Sequence, residues 1–380
     1  MNQDEKYMKA AIRQAKKAYA LDEVPIGCVI VQDDKIIARG YNRRNTEGNT
    51  LAHAELTAIR KASKKTGDWR LEDCTMYVTL EPCCHQGKTP PCTDIILERG
   101  IGKVYVGSMD PNPKVAGKGV QILRDHGVEV ETGLLEEECL SLNEIFFHYI
   151  TTKMPYVAMK YAMTLDGKIA SFSGDSKWVT GEKAREHTHF LRKKYRGILV
   201  GIGTVLADDP MLNCRIENGV DPVRIVCDSH LQIPLECKLV KTAKDIETIV
   251  CYAEENEEKQ KALMEAGVQL IKAEKDGQVD LEKLMMELGS MEIDSVLVEG
   301  GGAIHGSFLT SGLVQKVYCY IAPKMIGGKD ALSPVLGKGI EKMSDAVEIT
   351  DVTVQNFGGD ICVSGHVKQK RRDKRCLQEL

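Results

Sequence analysis

Short apolar strands alternate with amphipathic helical segments along nearly the whole chain. An apolar run on each side of Asp33 and Asp34 predicts a hairpin, because this pair suits a tight turn. Alternation of strands and helices buries both faces of a sheet, so the first part is predicted to be an α/β/α sandwich. Helices are predicted over about 4–20, 53–64, 93–99 and 135–151, and strands over 28–32, 35–41, 75–80 and 103–108.

The pattern starts again after Pro155, with an apolar strand at 156–164. Proline disfavours helix at the residue before it, and a chain of 380 residues exceeds the usual size of one core. No internal repeat relates the two parts, which indicates two different α/β domains. We expect domains at 1–150 and 151–368 and a solvated basic tail at 369–380.

The composition excludes several classes of protein. Lys and Arg total 51 against 55 Asp and Glu, a net charge of −4, so no global basic excess favours nucleic acid as a partner. The sequence has no apolar run long enough for a membrane span and no signal-peptide pattern at its start. Thirteen cysteines without an export signal favour reduced thiols or metal ligands over a disulfide scaffold. We therefore expect a cytoplasmic protein that does not bind membranes.

The strongest local signal is His53-Ala54-Glu55, followed by Cys83 after a proline and Cys92 after two prolines. One histidine and two cysteines are the ligands of a catalytic zinc that keeps a position for water, which zinc makes nucleophilic at neutral pH. Glu55 is predicted to carry the proton from that water to a leaving amine. Nucleobase deaminases show H-x-E with P-C-x-x-C, and here the second cysteine comes nine residues after the first, so that pattern is met in part. Cys84 is expected not to be a ligand.

Longer strings point to a family. LEPCCHQGKTPPC, MDPNPKVAGKG, PYVAMKYAMTLDGKIA, GDSKWVTG, ILVGIGTVLADDPMLNCR, VEGGGAIHGSF and APKMIGG occur in this order. The chain closely resembles the bifunctional riboflavin-biosynthesis deaminase–reductases over nearly its whole length. The resemblance implies a cytidine-deaminase-like domain followed by a dihydrofolate-reductase-like domain, with Zn²⁺ and NADPH as cofactors and several subunits in one assembly.

The same resemblance implies two consecutive reactions on phosphoribosylaminopyrimidines. The 2-amino group of 2,5-diamino-6-(5-phosphoribosylamino)pyrimidin-4(3H)-one leaves as ammonia, and NADPH then reduces the ribosyl group of the resulting uracil to ribityl. In the first domain the resemblance implies Glu55 as the proton shuttle, His53, Cys83 and Cys92 as zinc ligands, and substrate contacts from His85, Lys88, Asp110 and Asn112.

One region of the first domain departs from that family. Residues 23–27 (EVPIG), Gly40-Tyr41-Asn42 and the residues before His53 look more like tRNA adenosine deaminases. Asn42 is then a hydrogen-bonding substrate contact in place of a histidine. The alternative is a first domain that deaminates adenosine in tRNA, with Arg39, Arg43 and Arg44 as a candidate patch for the RNA.

In the second domain, SVLVEGGGAIHGSF is a strand, a glycine run and a helix, which can place backbone N–H groups near a phosphate. The spacing is not that of a Rossmann fingerprint, because His305 stands where a third glycine would fall. The resemblance implies NADP contacts at Ala162, Trp178, Thr204, Asp208, Ser229, Gly301, Gly302, Ala303, Ile304, His305, Gly306 and Ser307. It implies substrate contacts at Ser176, Arg192, Leu212, Arg215 and Glu299.

The chemistry of the second site suggests further roles. Arg192 and Arg215 are suited to the 5-phosphate, because a guanidinium group binds phosphate bidentately. Lys160 and Asp166 are candidates for polarising or protonating the opened sugar, and Glu299 and Asp208 are the carboxylates that we expect to manage the accompanying proton.

Overall fold

The structure is a computed structural model, and it describes residues 2–21, 23–85, 90–112 and 115–368. The chain divides into two compact units, Met1–Thr152 and Lys153–Leu380. In the described part of the chain, no helix is both long and apolar enough to cross a membrane.

The first unit is built on a five-stranded sheet in the order β2-β1-β3-β4-β5. Strand β1 pairs antiparallel with β2 and β3, while β3, β4 and β5 are parallel. The elements are α1 (Gln3–Tyr19), β1 (Gly27–Gln32), β2 (Lys35–Tyr41), α2 (Ala54–Thr66), β3 (Thr75–Leu80), α3 (Cys92–Glu98), β4 (Lys103–Ser108), α4 (Lys118–Asp125), β5 (Glu129–Thr132), α5 (Glu136–Leu142) and α6 (Glu144–Thr152).

Alternate side chains of the central strands enter two separate cores. Val29, Tyr77 and Tyr105 pack with residues of α1 on one face. Ile30 and Met76 pack with residues of α2, α3 and α4 on the other face. Since successive strand residues point to opposite faces, the sheet is covered on both sides. The predicted α/β/α sandwich is confirmed.

Two local predictions about the first unit have different outcomes. The predicted hairpin is confirmed: Asp33 and Asp34 connect β1 and β2 with φ of 48° and 56°, in the left-handed region that such turns need. The prediction of one long helix over 135–151 is wrong, because α5 ends before Asn143 and α6 begins after it. The buried Asn143 amide donates to the carbonyl of Pro25, so its side chain bonds to backbone outside the helix.

The second unit contains a nine-stranded sheet in the order β10-β9-β8-β7-β13-β6-β14-β16-β15. Strands β10 through β14 of this order run parallel, and β16 and β15 are antiparallel. The elements are β6 (Tyr156–Thr164), α7 (Glu182–Lys194), β7 (Gly197–Gly201), α8 (Ile202–Asp208), β8 (Val223–Cys227), α9 (Lys238–Lys241), β9 (Thr248–Tyr252), α10 (Glu257–Glu265), β10 (Gln269–Lys272), β11 (Glu274–Lys275), β12 (Gln278–Val279), α11 (Leu281–Ser290), β13 (Ser295–Gly300), α12 (Gly302–Ser311), β14 (Val314–Ala322), β15 (Ile349–Phe357) and β16 (Asp360–Val367).

Two cores also flank this sheet. Ile198, Val200 and Val226 pack with residues of α9 and α10, while Leu199 and Ile225 pack with residues of α11 and α12. In open parallel sheets, ligands bind beyond the carboxyl ends of the strands. The loops after β7, β8 and β13 are therefore the place to look for a ligand site.

Candidate active sites

His53, Cys83 and Cys92 lie together in the first unit. His53 is the residue before α2, Cys83 follows β3, and Cys92 is the first residue of α3. Their ligand atoms all lie within 4.8 Å of one another. The Cys92 Sγ is 3.4 Å and the Cys83 Sγ 4.0 Å from the His53 Nδ1. The structure thus brings the three predicted ligands into one cluster.

Glu55 lies beside this cluster in the first turn of α2. Its side chain is buried, and its Oε2 has no hydrogen-bond partner within the described ranges. Burial raises the pKa of Glu55, and the nearby His53 acts in the opposite direction. A buried carboxylate oxygen without a partner is costly unless something else occupies the space next to it.

The two thiols of the cluster differ in acidity. A hydrogen bond from Cys92 lowers the pKa of Cys83 to about 4, whereas the same bond and burial raise the pKa of Cys92 well above its ordinary value. Zinc binds cysteines as thiolates, so binding of the metal at this cluster would release protons. One imidazole, two sulfurs and a neighbouring carboxylate whose Oε2 has no partner among the described residues fit a catalytic zinc with an open position.

The residues predicted to contact the first substrate are distributed around this cluster. Asn42 is buried, and its Oδ1 accepts from the backbone N–H of Ala54 at 3.0 Å, which fixes the start of α2. Asp110 accepts from the N–H of Asn112 at 2.8 Å, and burial raises the pKa of Asp110. His85 is exposed and bears electrostatically on Asp110. The predicted contact at Lys88 lies outside the described residues.

Glu81 is a residue that the sequence reasoning missed. Its buried carboxylate accepts three backbone N–H bonds, from Asp110 at 3.2 Å, Gly117 at 2.9 Å and Val120 at 3.2 Å. These bonds hold the segment that carries Asp110 and Asn112 against the end of β3, two residues before Cys83. The only sequence signal was an acidic residue directly after an apolar strand.

One arginine of the candidate RNA patch already has an acidic partner in the protein. Arg43 forms an ion pair with Glu47 at 2.9 Å and lies over the ring of Tyr41. Arg39 and Arg44 are exposed. One of the three cations is therefore already neutralised.

In the second unit, Arg192 of α7 and Glu299 of β13 form a buried bidentate pair. The Arg192 Nε and Nη2 donate to the two carboxylate oxygens at 2.8 and 2.9 Å. The remaining Nη1 donates to the carbonyl of Asn213 at 2.9 Å. Burial alone would raise the pKa of Glu299, but Arg192 holds it well below its usual value. Three of the five N–H groups of the guanidinium predicted to bind phosphate thus have protein acceptors.

Lys160 of β6 lies near this pair. Burial lowers the pKa of the Lys160 ammonium group, and Glu299 partly offsets that effect. Its Nζ is 5.6 Å from the centre of the Tyr320 ring. By contrast, Asp166 accepts from the Thr164 hydroxyl and from backbone N–H groups at 326 and 327, so its carboxylate holds a loop.

Arg215 and Leu212 occupy the loop after α8. Arg215 is exposed, and its contacts to the ring of His189 are 3.2 Å long. Leu212 is buried with φ of 51°, a left-handed conformation that is strained for a leucine. Ser176 is partly buried in the loop before α7. His189 is a second residue that the sequence reasoning missed.

The predicted cofactor residues follow one edge of the sheet. Ala162, Thr204, Ser229 and Gly301 lie at or just beyond the carboxyl ends of β6, β7, β8 and β13, which are neighbours in the sheet. Asp208 is exposed at the end of α8, and Trp178 is exposed with the Arg185 guanidinium 4.5 Å from its ring centre. The Ser229 hydroxyl already bonds to Gln278 and to the N–H of Val279.

The glycine run serves two purposes. Gly301 has φ of 82° and faces the Thr204 hydroxyl, so the turn itself requires glycine. A Cβ at Gly302 or Gly306 would meet the segment 333–336, at 1.7 Å from the Leu336 carbonyl oxygen in the case of Gly306. The His305 ring is buried between the carbonyls of Pro334 and Val298. Ala303 and Ser307 are exposed, and Ile304 is partly buried.

Backbone at this edge is open to a dinucleotide at two glycines. Gly203, in the first turn of α8, has open space where a Cβ would be, and Gly301 precedes the start of α12. Thr204 lies between these two positions, and its hydroxyl oxygen is 2.8 Å from the place that a Cβ on Gly300 would take. Backbone N–H groups at such a place suit a phosphate.

Comparison with known proteins matches both units. Residues 1–108 match the cytidine and deoxycytidylate deaminase zinc-binding region, and residues 155–363 match the RibD C-terminal domain. The riboflavin biosynthesis protein RibD of Actinobacillus pleuropneumoniae is 49% identical over 358 residues, covering 93% of each chain. RibD of Escherichia coli is 36% identical over 376 residues, covering 95% of this chain and 98% of its own.

Solved structures agree with this result. A diaminohydroxyphosphoribosylaminopyrimidine deaminase/5-amino-6-(5-phosphoribosylamino)uracil reductase of Thermotoga maritima is 38% identical, covers 96% of this chain and 99% of its own, and has a TM-score of 0.80. A tRNA:A34 deaminase is 35% identical over 36% of this chain, with a TM-score of 0.33. The clustered zinc ligands and the match over almost the full length lead to one conclusion: the chain belongs to the RibD family of bifunctional riboflavin-biosynthesis enzymes, with a zinc-binding deaminase unit and a reductase unit whose family implies NADPH.

Proposed function

We propose that the first unit deaminates 2,5-diamino-6-(5-phosphoribosylamino)pyrimidin-4(3H)-one and that the second reduces 5-amino-6-(5-phosphoribosylamino)uracil. The observation that carries this proposal is the cluster of His53, Cys83 and Cys92 beside the buried Glu55, in a chain that also has the group of Arg192, Glu299 and Lys160. The name of the Thermotoga maritima relative supplies the two substrates.

In the deamination, water adds to the ring carbon that bears the amino group, and the C–N bond then breaks to release ammonia. Zinc, when bound by His53, Cys83 and Cys92, activates the water. Glu55 takes one proton from that water and delivers it to the amine nitrogen, which leaves as ammonia. The buried position of Glu55, next to the cluster and without another partner for Oε2, supports this role. Asn42, His85, Lys88, Asp110 and Asn112 are the proposed substrate contacts.

In the reduction, NADPH, when bound, supplies a hydride to C1 of the opened ribosyl group. One proton must also reach the product. Glu299 is poorly suited to donate it, because Arg192 keeps its carboxylate ionised. We assign this proton to Lys160, whose ammonium group releases a proton more readily because burial lowers its pKa. Ser176, Leu212 and Arg215 are the remaining proposed substrate contacts.

Most of the cofactor contacts proposed for NADPH are at the carboxyl edge of the sheet, and two others, Trp178 and Asp208, are in the loop before α7 and at the end of α8. They are Ala162, Trp178, Thr204, Asp208, Ser229 and the stretch from Gly301 to Ser307, of which His305 offers only its backbone.

The experiment that tests both steps follows ammonia release and NADPH oxidation separately. The purified protein is given the diaminopyrimidine or the uracil substrate, each with NADPH. Glu55→Gln should abolish ammonia release while NADPH oxidation on the uracil continues, and Lys160→Gln should do the reverse. If the wild type oxidises NADPH with the uracil but releases no ammonia from the diaminopyrimidine, the first substrate is wrong, and adenosine in tRNA is tested next.

We also infer a cytoplasmic homo-oligomer. The cysteines of the described residues are all free, which suits a reducing compartment. The edge strand β15 exposes Val352 and Val354, and an apolar exposed edge favours pairing with another copy. Light scattering of the purified wild type and of Val354→Lys tests the oligomeric state. The assembly formed by the variant should have a lower mass.

A further inference from the structure

The indole ring of Trp178 has a cation on one face and is otherwise open. The guanidinium carbon of Arg185, near the start of α7, is 4.5 Å from the ring centre, while Trp178 as a whole is 61% exposed. Guanidinium groups stack on aromatic faces, where the negative charge of the π system attracts them. The uncovered face of the indole is therefore a flat apolar surface on which a second ring can stack.

Arg185 also holds the backbone next to this ring. Its Nη1 donates to the carbonyl of Thr180 at 2.6 Å, and the Lys324 Nζ donates to the carbonyl of Trp178 at 2.8 Å. Within the described ranges, no carboxylate lies within ion-pair distance of Arg185. The chain is thus fixed at Trp178 and two residues later, and the positive charge on the covered face of the ring has no ion-pair partner to offset it.

The loop that carries Trp178 is tied to the sheet at β14 and β16. Lys324 follows β14, and Asp360, the first residue of β16, accepts from the N–H of Gly181 at 2.6 Å. The glycines suited to a phosphate lie beyond β7 and β13, and β6, β14 and β16 follow β13 in the sheet. Lys160, to which we assign the proton of the reduction, is in β6. Since hydride and proton reach the same sugar, a dinucleotide with its phosphates at the glycines must direct its nicotinamide ring toward β6 and the loop of Trp178.

We propose that Arg185 is a positioning residue of the reductase unit, which holds the Trp178 indole as the platform for the nicotinamide ring and makes this platform favour NADPH over NADP⁺. This inference rests on the proposed reductase function. Arg185 acts through Trp178: it covers one face of the indole and bonds to the backbone beside it, so that the other face stays free and fixed in place for the cofactor.

The preference follows from the charge of the nicotinamide ring. This ring is neutral in NADPH and carries a positive charge in NADP⁺, while the phosphates of the two forms are the same. An indole alone attracts a cationic ring, but the Arg185 guanidinium on its other face repels one. The neutral ring meets no such repulsion. Arg185 therefore favours binding of the reduced cofactor and release of the oxidised product.

Calorimetric titration with NADPH and with NADP⁺ tests the charge effect without turnover. Arg185→Gln should lower the ratio of the Kd for NADP⁺ to the Kd for NADPH by about threefold to tenfold, as expected for two unit charges on opposite faces of one ring. Arg185→Lys keeps the charge and should keep this ratio within about twofold of the wild type. Lys183→Gln, which removes the same charge from an exposed side chain of α7, is the matched control and should leave the ratio unchanged. A wild-type ratio in Arg185→Gln overturns the proposal.

The fluorescence of Trp178 gives a second readout, which covers the case of an Arg185 variant that does not fold. The chain has two tryptophans, so Trp69→Phe leaves Trp178 as the only indole. Saturating NADPH should protect the Trp178 emission of this protein from quenching by acrylamide, because the stacked ring covers the free face. If the protein oxidises NADPH on the uracil substrate but NADPH gives no protection, the proposal is overturned. A wild type that oxidises no NADPH with the uracil is a different result: it overturns the reductase function itself.

Discussion

Replacing Glu81 tests whether its carboxylate holds in place the segment of the deaminase unit that carries Asp110 and Asn112. Glu81→Ala leaves three backbone N–H groups, at Asp110, Gly117 and Val120, without their acceptor. Each orphaned buried donor costs about 1–3 kcal/mol, and water relieves part of this cost where the segment can move. At the low end the three together amount to about 3 kcal/mol, which corresponds to roughly 150-fold in kcat/KM for ammonia release.

Glu81→Gln is the graded companion. Its amide oxygen can replace Oε2 and keep the bonds from Asp110 and Gly117, while its NH₂ group faces the N–H of Val120. One lost bond of about 1.4 kcal/mol gives about a tenfold loss. Hydrogen exchange at residues 115–120 should become faster in the order wild type, Gln, Ala.

The chain contains its own control for this experiment. NADPH oxidation on the uracil substrate should stay within about twofold of the wild type, and so should both activities of Glu98→Ala, an exposed glutamate of the same unit. If Glu81→Ala keeps full ammonia release, or if both activities fall in proportion, the reasoning is refuted.

Three further predictions concern removal of zinc, stability in acid and the packing around Gly306. Removal of zinc with dipicolinate should stop ammonia release and leave NADPH oxidation on the uracil unchanged, as measured in the two separate assays. The pKa of Glu299 is lowered in the folded state, so the stability from its pair with Arg192 is complete above pH of about 4.3. This stability is lost progressively as pH falls from there through the lower folded value, and Glu299→Gln should flatten the acid-side loss in chemical denaturation. Gly306→Ala places a Cβ 1.7 Å from the Leu336 carbonyl oxygen and should destabilise the second unit by about 1–3 kcal/mol, seen as a lower urea midpoint.

Local patterns predicted the metal site because its residues are anchored to regular elements. His53 precedes a helix, Cys92 begins one and Cys83 follows a strand, and each position can be recognised from nearby residues. The covering of both faces of the first sheet was predicted in the same way, from the alternation of apolar strands and helices. The role of Glu81 and the contact between His189 and Arg215 were missed because they depend on groups about 30 residues away in the sequence, which no periodicity reveals.

Arg192 shows the same limit in another form. Its residue type favours phosphate, but the sequence does not show that Glu299, 107 residues later in the chain, accepts two of its five N–H groups. A single sequence gives the charge of a side chain, but the partner that neutralises it is set by the fold. The long helix predicted over 135–151 failed for a related reason, since the carbonyl of Pro25 that binds Asn143 is 118 residues away.

The place of β6 in its sheet has a consequence for synthesis on the ribosome. The sheet of the first unit needs only residues up to Thr132, so it can assemble early. Strand β6 is made next, but its two neighbours, β13 and β14, are complete only roughly 140 and 160 residues later. At translation rates of about 5–20 residues per second, this apolar strand waits for about ten to thirty seconds without a partner. Products that stop before β13 expose it permanently, so premature termination in the second half should yield aggregates rather than a working half-enzyme.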